Sequence, residues 1–214
     1  MIKVLELFSG TRSIGKCCDE LGWESISVDM ILPATHKCDI MDFDYKQYPK
    51  DYFDIVWASP PCTNYSKLQD GHLGRMRKGE IYTKEIQEKE MKEDDKLVLR
   101  TLEIIDYFNP EYYFIENPDT SRMKEREYMK DRPYYVVDYC MYSDWGYRKR
   151  TRIWTNKENW EAKVCNKKCG NMIGNLHKNN LGNTERKKKV SGISYSQADR
   201  YRVPEDLIFS LLLD

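Results

Sequence analysis

The run IKVLELFSGTRSIGKCCDELG, residues 2–22, decides the fold. Residues 2–8 are apolar enough for a short buried strand and Ser9, Gly10 and Thr11 form a turn. Ser13 to Leu21 then carry helical spacing, closed by Gly22. The same alternation continues outward. Glu24 to Val28 reads as a second strand ending in Asp29, and residues 53–58 as a third, stopped by Ser59, Pro60 and Pro61, which cannot extend a ladder. Residues 84–107 are helical with an acidic first half, and residues 112–115 form a strand ending at Glu116, Asn117 and Pro118. Strands alternating with helices predict an α/β domain with a parallel sheet covered on both faces, and such sheets place ligands at the carboxyl ends of their strands. Asp29, Cys62 and Glu116 all fall at such ends.

Composition narrows the setting. Lys plus Arg and Asp plus Glu each total 35 in 214 residues, so net charge announces no polyanionic partner and distribution must carry that argument. Acids at Glu85, Glu88, Glu90, Glu93, Asp94 and Asp95 offset basic clusters at residues 75–78, 148–152 and 186–189. Seven cysteines, an odd number at irregular spacing, read as reduced thiols rather than a disulfide framework. The opening lacks the pattern of a secretory leader and no apolar run is long enough for a bilayer, so a soluble, cytoplasmic monomer with no membrane partner is expected.

The first turn suits a nucleoside. Gly10 and Gly15 allow close approach of a ligand to the backbone. Asp29, after the second strand, stands where a ribose-binding carboxylate belongs, and Asp39, after Cys38 at the expected end of the next strand, is placed to accept from an adenine amino group. No Gly-Lys-Ser/Thr follows the turn, which favours a nucleoside without phosphates.

At the chemical end, two prolines stiffen the loop that presents Cys62, a placement that suits a nucleophile. Glu116 follows Tyr112, Tyr113, Phe114 and Ile115, so partial desolvation is expected to raise its pKa and let it hold a proton near neutrality.

These pieces together resemble the cytosine-5 DNA methyltransferase family, particularly its short stand-alone members from phages and large viruses. Residues 5–10 (LELFSG) resemble its first motif, Pro61-Cys62 its nucleophile motif, Glu116-Asn117-Pro118 its Glu-Asn-Val motif, and residues 148–154 (RKRTRIW) its Gln-x-Arg-x-Arg motif. The resemblance implies a Rossmann-like class I methyltransferase fold with a mostly parallel seven-stranded sheet, S-adenosyl-L-methionine as cofactor and double-stranded DNA as partner. By the same resemblance, Cys62 adds to carbon 6 of a flipped cytosine and Glu116 meets its N3 and N4. Arg150 and Arg152 would hold O2 and the adjoining backbone, and either arginine could favour the Cys62 thiolate. The cofactor would lie along Phe8, Ser9, Gly10, Thr11, Arg12, Ser13, Asp29, Met30, Asp39, Ile40, Ser59 and Pro61. Arg12 and Ser13 depart from the family's glycine-rich pair, Thr63 from its Gln, Pro118 from its Val and Arg148 from its Gln. The late Gly-Asn-Ser motif is not found, though residues 197–204 loosely resemble the framework before it.

Residues 63–82 hold Gly71, Gly74 and Gly79 among cations and read as a lid over DNA, with Ser66, Lys67, Arg75, Arg77 and also Arg148 on phosphate. The domain reading is a catalytic unit over 1–154, a small irregular target-recognition insert over 155–195 and a returning helix over 196–214. Lys163, Lys167, Lys168, Lys178 and residues 186–189 are candidates for the insert's DNA face. Cys165, Cys169 and His177, with Cys140 as a possible fourth ligand, make an incomplete zinc signature that leaves a metal open. Competing readings are an amino-group DNA methyltransferase, disfavoured because Cys62 stands where that chemistry wants an aromatic ring, a transfer-RNA cytosine-5 methyltransferase, and an inactive DNA-binding relative.

Overall fold

The computed structural model describes residues 1–179 and 196–213. Six strands form the central sheet: β1 (Lys3–Leu7), β2 (Glu24–Val28), β3 (Ile55–Ala58), β4 (Tyr112–Pro118), β5 (Tyr134–Asp138) and β6 (Arg150–Thr155), in the order β2-β1-β3-β4-β6-β5. The first four are parallel, and β6 runs antiparallel to both β4 and β5. Among the described residues four α-helices accompany them, α1 (Ser13–Leu21), α2 (Lys84–Phe108), the short α3 (Gln197–Tyr201) and α4 (Glu205–Leu213).

Among the described residues the sheet falls one strand short of seven. Beyond β2 the pairing is a single bridge between Val28 and His36. The reason is local: the Asp29 carboxylate accepts from the N–H groups of Ile31 (2.8 Å) and Leu32 (2.7 Å), turning the chain away, and Pro33 has no N–H to donate to a ladder.

Each central strand buries both faces, which is why each reads as a continuous apolar run. Leu5, Leu7, Val56, Ala58 and Ile115 pack with Val98, Leu102 and Ile105 of α2. On the opposite face Val4, Ile55, Trp57, Phe114 and Ile153 pack with Ile14, Cys17 and Cys18 of α1 and with Leu207, Ile208 and Leu211 of α4. Fully burying a large apolar side chain is worth about 1.5–3 kcal/mol, so these two clusters are the main stabilising contribution to the sheet.

Local signals set the helix ends. Gly22 (φ 68°) closes α1 in the left-handed region, the Thr83 hydroxyl accepts from Ile86 N–H at the start of α2, and Asn109 (φ 45°) ends it. β4 runs three residues past its apolar core because β6 pairs with Glu116, Asn117 and Pro118 through Ile153, Arg152 and Thr151. None of the helices among the described residues is long and apolar enough to cross a membrane.

Candidate active site

The loop after β3 is held by its neighbours. Ser59 N–H donates to Leu7 O (3.2 Å), and the buried Asn117 amide at the tip of β4 donates to Pro60 O (2.9 Å). That bond fixes the backbone two residues before Cys62 to the side chain one residue after Glu116. Cys62 is half-buried, and burial pushes its thiol up from its ordinary value. The nearby Glu116 charge pushes the same way, and Lys149 opposes both.

Glu116 is 5% exposed, as its apolar strand implied, but it is paired as well as desolvated. Its Oε1 accepts from Tyr139 OH (2.9 Å) and from Lys149 Nζ (3.2 Å). Lys149 and Tyr139 were not singled out by the sequence. Lys149 is thus the cation that offsets part of the upward push on Cys62, while Arg150 and Arg152, expected beside the thiol, are bonded to acids. Both arginines are committed elsewhere: Arg150 grips both oxygens of the fully buried Asp138 (3.1 and 2.8 Å), and Arg148 joins it there (2.8 Å). Arg152 bonds Asp119 (3.0 Å) and lies 3.7 Å over the Tyr134 ring.

At the first turn, Glu6 is the residue the sequence reading passed over. Its buried carboxylate accepts from the N–H groups of Ile14 (3.1 Å) and Gly15 (3.0 Å) in the first turn of α1, and burial, partly offset by those bonds, pushes it up to about 7. A helix start normally offers these donors to an anion. Here an internal carboxylate takes them, which disfavours phosphate.

Asp29 accepts from Gly10 N–H (2.8 Å) and so fastens the turn to the end of β2. The turn uses left-handed backbone at Phe8, Gly10 and Arg12 (φ 57°, 50° and 57°), and the Ser9 hydroxyl is buried with no partner among the described residues. Arg12 folds back on α1 toward Ser25 (3.4 Å) and Asp19 (3.6 Å). A Cβ at Gly15 would lie 2.8 Å from that guanidinium, so Gly15 makes room for Arg12 rather than for a ligand.

Asp39 accepts from Met41 N–H (2.9 Å), Ile40 is buried in the core, and Met30 is exposed. Ser59 takes a bond from Trp57 Nε1 (3.3 Å), while Pro61 is exposed. Thr11 and Ser13 line a cleft of about 570 Å³ together with Lys16, Trp145, Arg202 and Asp206, and the Ser13 hydroxyl accepts from Val203 N–H (3.2 Å). The C-terminal segment thus closes against the first turn.

Residues 63–82 are fastened to the acidic half of α2, so that run is not merely a solvated face. Asn64 meets Asp94 (3.1 Å), buried Tyr65 meets Asp95 (2.8 Å), and Glu90 receives both Arg77 (3.0 Å) and Tyr82 (2.9 Å). Asp70 adds Arg122 (2.6 Å) and Gln87 (3.1 Å). Arg77 is therefore bound to the protein, Ser66 caps the 3-10 turn Lys67–His72, Lys67 lies 3.9 Å from Glu125, and Arg75 is exposed. In the insert, Lys163 and Lys178 lie among the described residues with the exposed Lys167 and Lys168, whereas residues 186–189 lie outside them.

The sequence family described as C-5 cytosine-specific DNA methylase matches residues 29–131, the span that holds Cys62 and Glu116. A Frog virus 3 (isolate Goorha) protein named "Probable DNA (cytosine-5)-methyltransferase" is 40% identical over 223 residues, 99% of this chain and 99% of the viral one. Among solved structures, that of the S. pombe Dnmt2 methyltransferase has a TM-score of 0.44 at 14% identity and aligns with 76% of this chain, which spans about half, 51%, of that structure's length. Identity of 40% along nearly the whole of both chains decides the matter: the protein belongs to the C-5 cytosine-specific DNA methylase family.

Proposed function

We propose that this protein methylates carbon 5 of a cytosine flipped out of duplex DNA, using S-adenosyl-L-methionine and a transient covalent bond from Cys62. The observation that carries the reading is the Asn117–Pro60 hydrogen bond (2.9 Å), which ties the Cys62 loop to the strand end bearing Glu116, whose carboxylate in turn accepts from Lys149. Cys62, as thiolate, adds to carbon 6 of the ring, and the displaced electron pair makes carbon 5 nucleophilic. Glu116 faces the N3 and N4 edge, where it shares a proton with N3 as the sulfur adds. Lys149 and Tyr139 orient that carboxylate. Loss of the carbon-5 proton to a base later returns the electron pair and releases Cys62.

The first turn fits the cofactor. Glu6 occupies the helix-start donors, Asp29 and Asp39 bring negative charge, and Ser9 holds a buried hydroxyl without a partner among the described residues, a set that suits a phosphate-free, positively charged nucleoside. When bound, S-adenosylmethionine supplies an electrophilic sulfonium methyl group. Asp29 and Asp39 are proposed to hold its ribose and adenine, and Phe8, Ser9, Gly10, Thr11, Arg12 and Ser13 to form the wall beside it. Arg150, Arg152, Arg148, Ser66, Lys67, Arg75 and Arg77 are proposed to face DNA, with residues 155–195 as the target reader. Those among them now paired with acids would exchange partners on binding.

The test is a duplex carrying 5-fluorocytosine, whose carbon-5 substituent cannot leave as a proton. With cofactor, the wild-type protein should form a denaturation-resistant adduct and Cys62→Ala none. An adduct that survives Cys62→Ala, or that forms on transfer RNA and not on duplex DNA, would overturn the reading.

A further inference from the structure

Beyond the catalytic edge, one cluster has no part in the reaction. Cys140, Cys165, Cys169 and His177 place one ligand atom each within 4.8 Å of all the others. Cys165 Sγ lies 3.6 Å from Cys169 Sγ and 3.6 Å from His177 Nε2, and Cys169 Sγ lies 3.4 Å from the same nitrogen. A tetrahedral zinc ion with ordinary Zn–S and Zn–N bonds requires sulfur–sulfur spacings of ~3.8 Å and sulfur–nitrogen spacings of ~3.6 Å. The sulfur separation is far beyond a disulfide bond, and all the cysteines are free. Lys167, in left-handed backbone (φ 67°), turns the chain between the two insert cysteines and donates its N–H to Cys165 Sγ (3.3 Å), leaving both sulfurs on one side of a tight loop.

The surroundings lack another means of order. Between residues 161 and 179 the buried positions are Cys165 and Asn171, so the segment has no apolar core of its own. Its one regular feature is a ribbon of Met172–Ile173 against Leu176–His177, far below the size at which a two-stranded ribbon stands alone. Cys140 comes from elsewhere, the short turn after β5, and is buried.

We propose that these four side chains form a structural zinc site, three thiolates and one imidazole, that staples the insert to the end of β5. Binding exchanges the thiol protons for three Zn–S bonds, and Nε2 of neutral His177 completes the tetrahedron. The staple bears on the DNA-facing edge through Asp138, which accepts Cys165 N–H (2.8 Å) while holding Arg148 and Arg150.

Metal analysis of the purified full-length protein tests this without reference to activity. The expected content is about one zinc per chain, fixed by a single four-ligand site. Cys165→Ser and His177→Ala should lose most of it, and Cys38→Ser, outside the cluster, should keep it. Because the first two variants may not fold, the wild type is also exchanged with cobalt, which should show the thiolate charge-transfer and visible bands of a tetrahedral sulfur-rich site. Cys169→His, which retains a ligand, should keep a tetrahedral spectrum with a weakened charge-transfer band. A wild-type chain without zinc and without that cobalt spectrum overturns the proposal, as does equal zinc in Cys165→Ser and wild type.

Discussion

The carboxyl edge of the sheet and the cysteine-bearing insert both gather polar side chains closely, and they do so by opposite means. At the sheet edge, Glu116 stands on a strand and Cys62 in the loop after another, and both strands have two buried apolar faces, so the scaffold exists before the site does. In the insert the order is reversed, since residues 161–179 bury one cysteine and one asparagine and depend on what those polar groups bind. A buried apolar scaffold supports the first, and polar groups alone hold the second.

The sharpest way to break this contrast is to remove apolar volume from each side. Phe114→Ala, at a fully buried position of β4, should cost about 3–5 kcal/mol in urea unfolding. Leu176→Ala, 66% exposed in the insert ribbon, should change stability by less than ~0.5 kcal/mol. Equal costs would mean that the insert has a core after all.

A second measurement concerns a charge buried in the scaffold. Glu6 titrates at about 7 when folded against an ordinary 4.5, so the folded state holds this proton more tightly than the unfolded one. Its contribution is fully present below the unfolded value and is lost as pH rises through the folded one, a swing of ~3 kcal/mol. Unfolding midpoints of the wild type should therefore fall relative to Glu6→Gln between pH 4.5 and 7.5, and a difference that stays flat would contradict the assignment. A last measurement concerns the sheet edge. Lys149→Met should move the rise of fluorocytosine adduct formation to higher pH and slow it severalfold at neutrality, because the cation that opposes the upward push on the Cys62 thiol is gone. An unmoved profile would show that Lys149 serves Glu116 alone.

Much of the scaffold was legible because its strands and helices carry clean periods. α1 and β2 fall where the pattern put them, and α2 ends one residue later than expected. β5 and β6 were not read, and in β6 the sequence RTRIWT mixes two partly buried arginines with buried residues, which blurs the strand period. That oversight hid Lys149. Alternation along 148–152 sets it apart from Arg148, Arg150 and Arg152, and a strand reading of that stretch would have separated the cation that meets Glu116 from the arginines. Glu6 had a signal too, a lone acid inside an otherwise apolar strand. The clasping role of Glu90, Asp94 and Asp95 had none, because their partners at Asn64, Tyr65, Arg77 and Tyr82 lie in a loop that sequence spacing cannot fold.

The bond from the Asn117 amide to the Pro60 carbonyl joins two uncharged groups, whereas the neighbouring loop is clasped by ion pairs such as Arg122–Asp70 and Arg77–Glu90. Ionic strength reaches only the second kind of fastening. Added salt should therefore weaken substrate capture and loop closure, raising KM, while the turnover of DNA already engaged stays nearly constant.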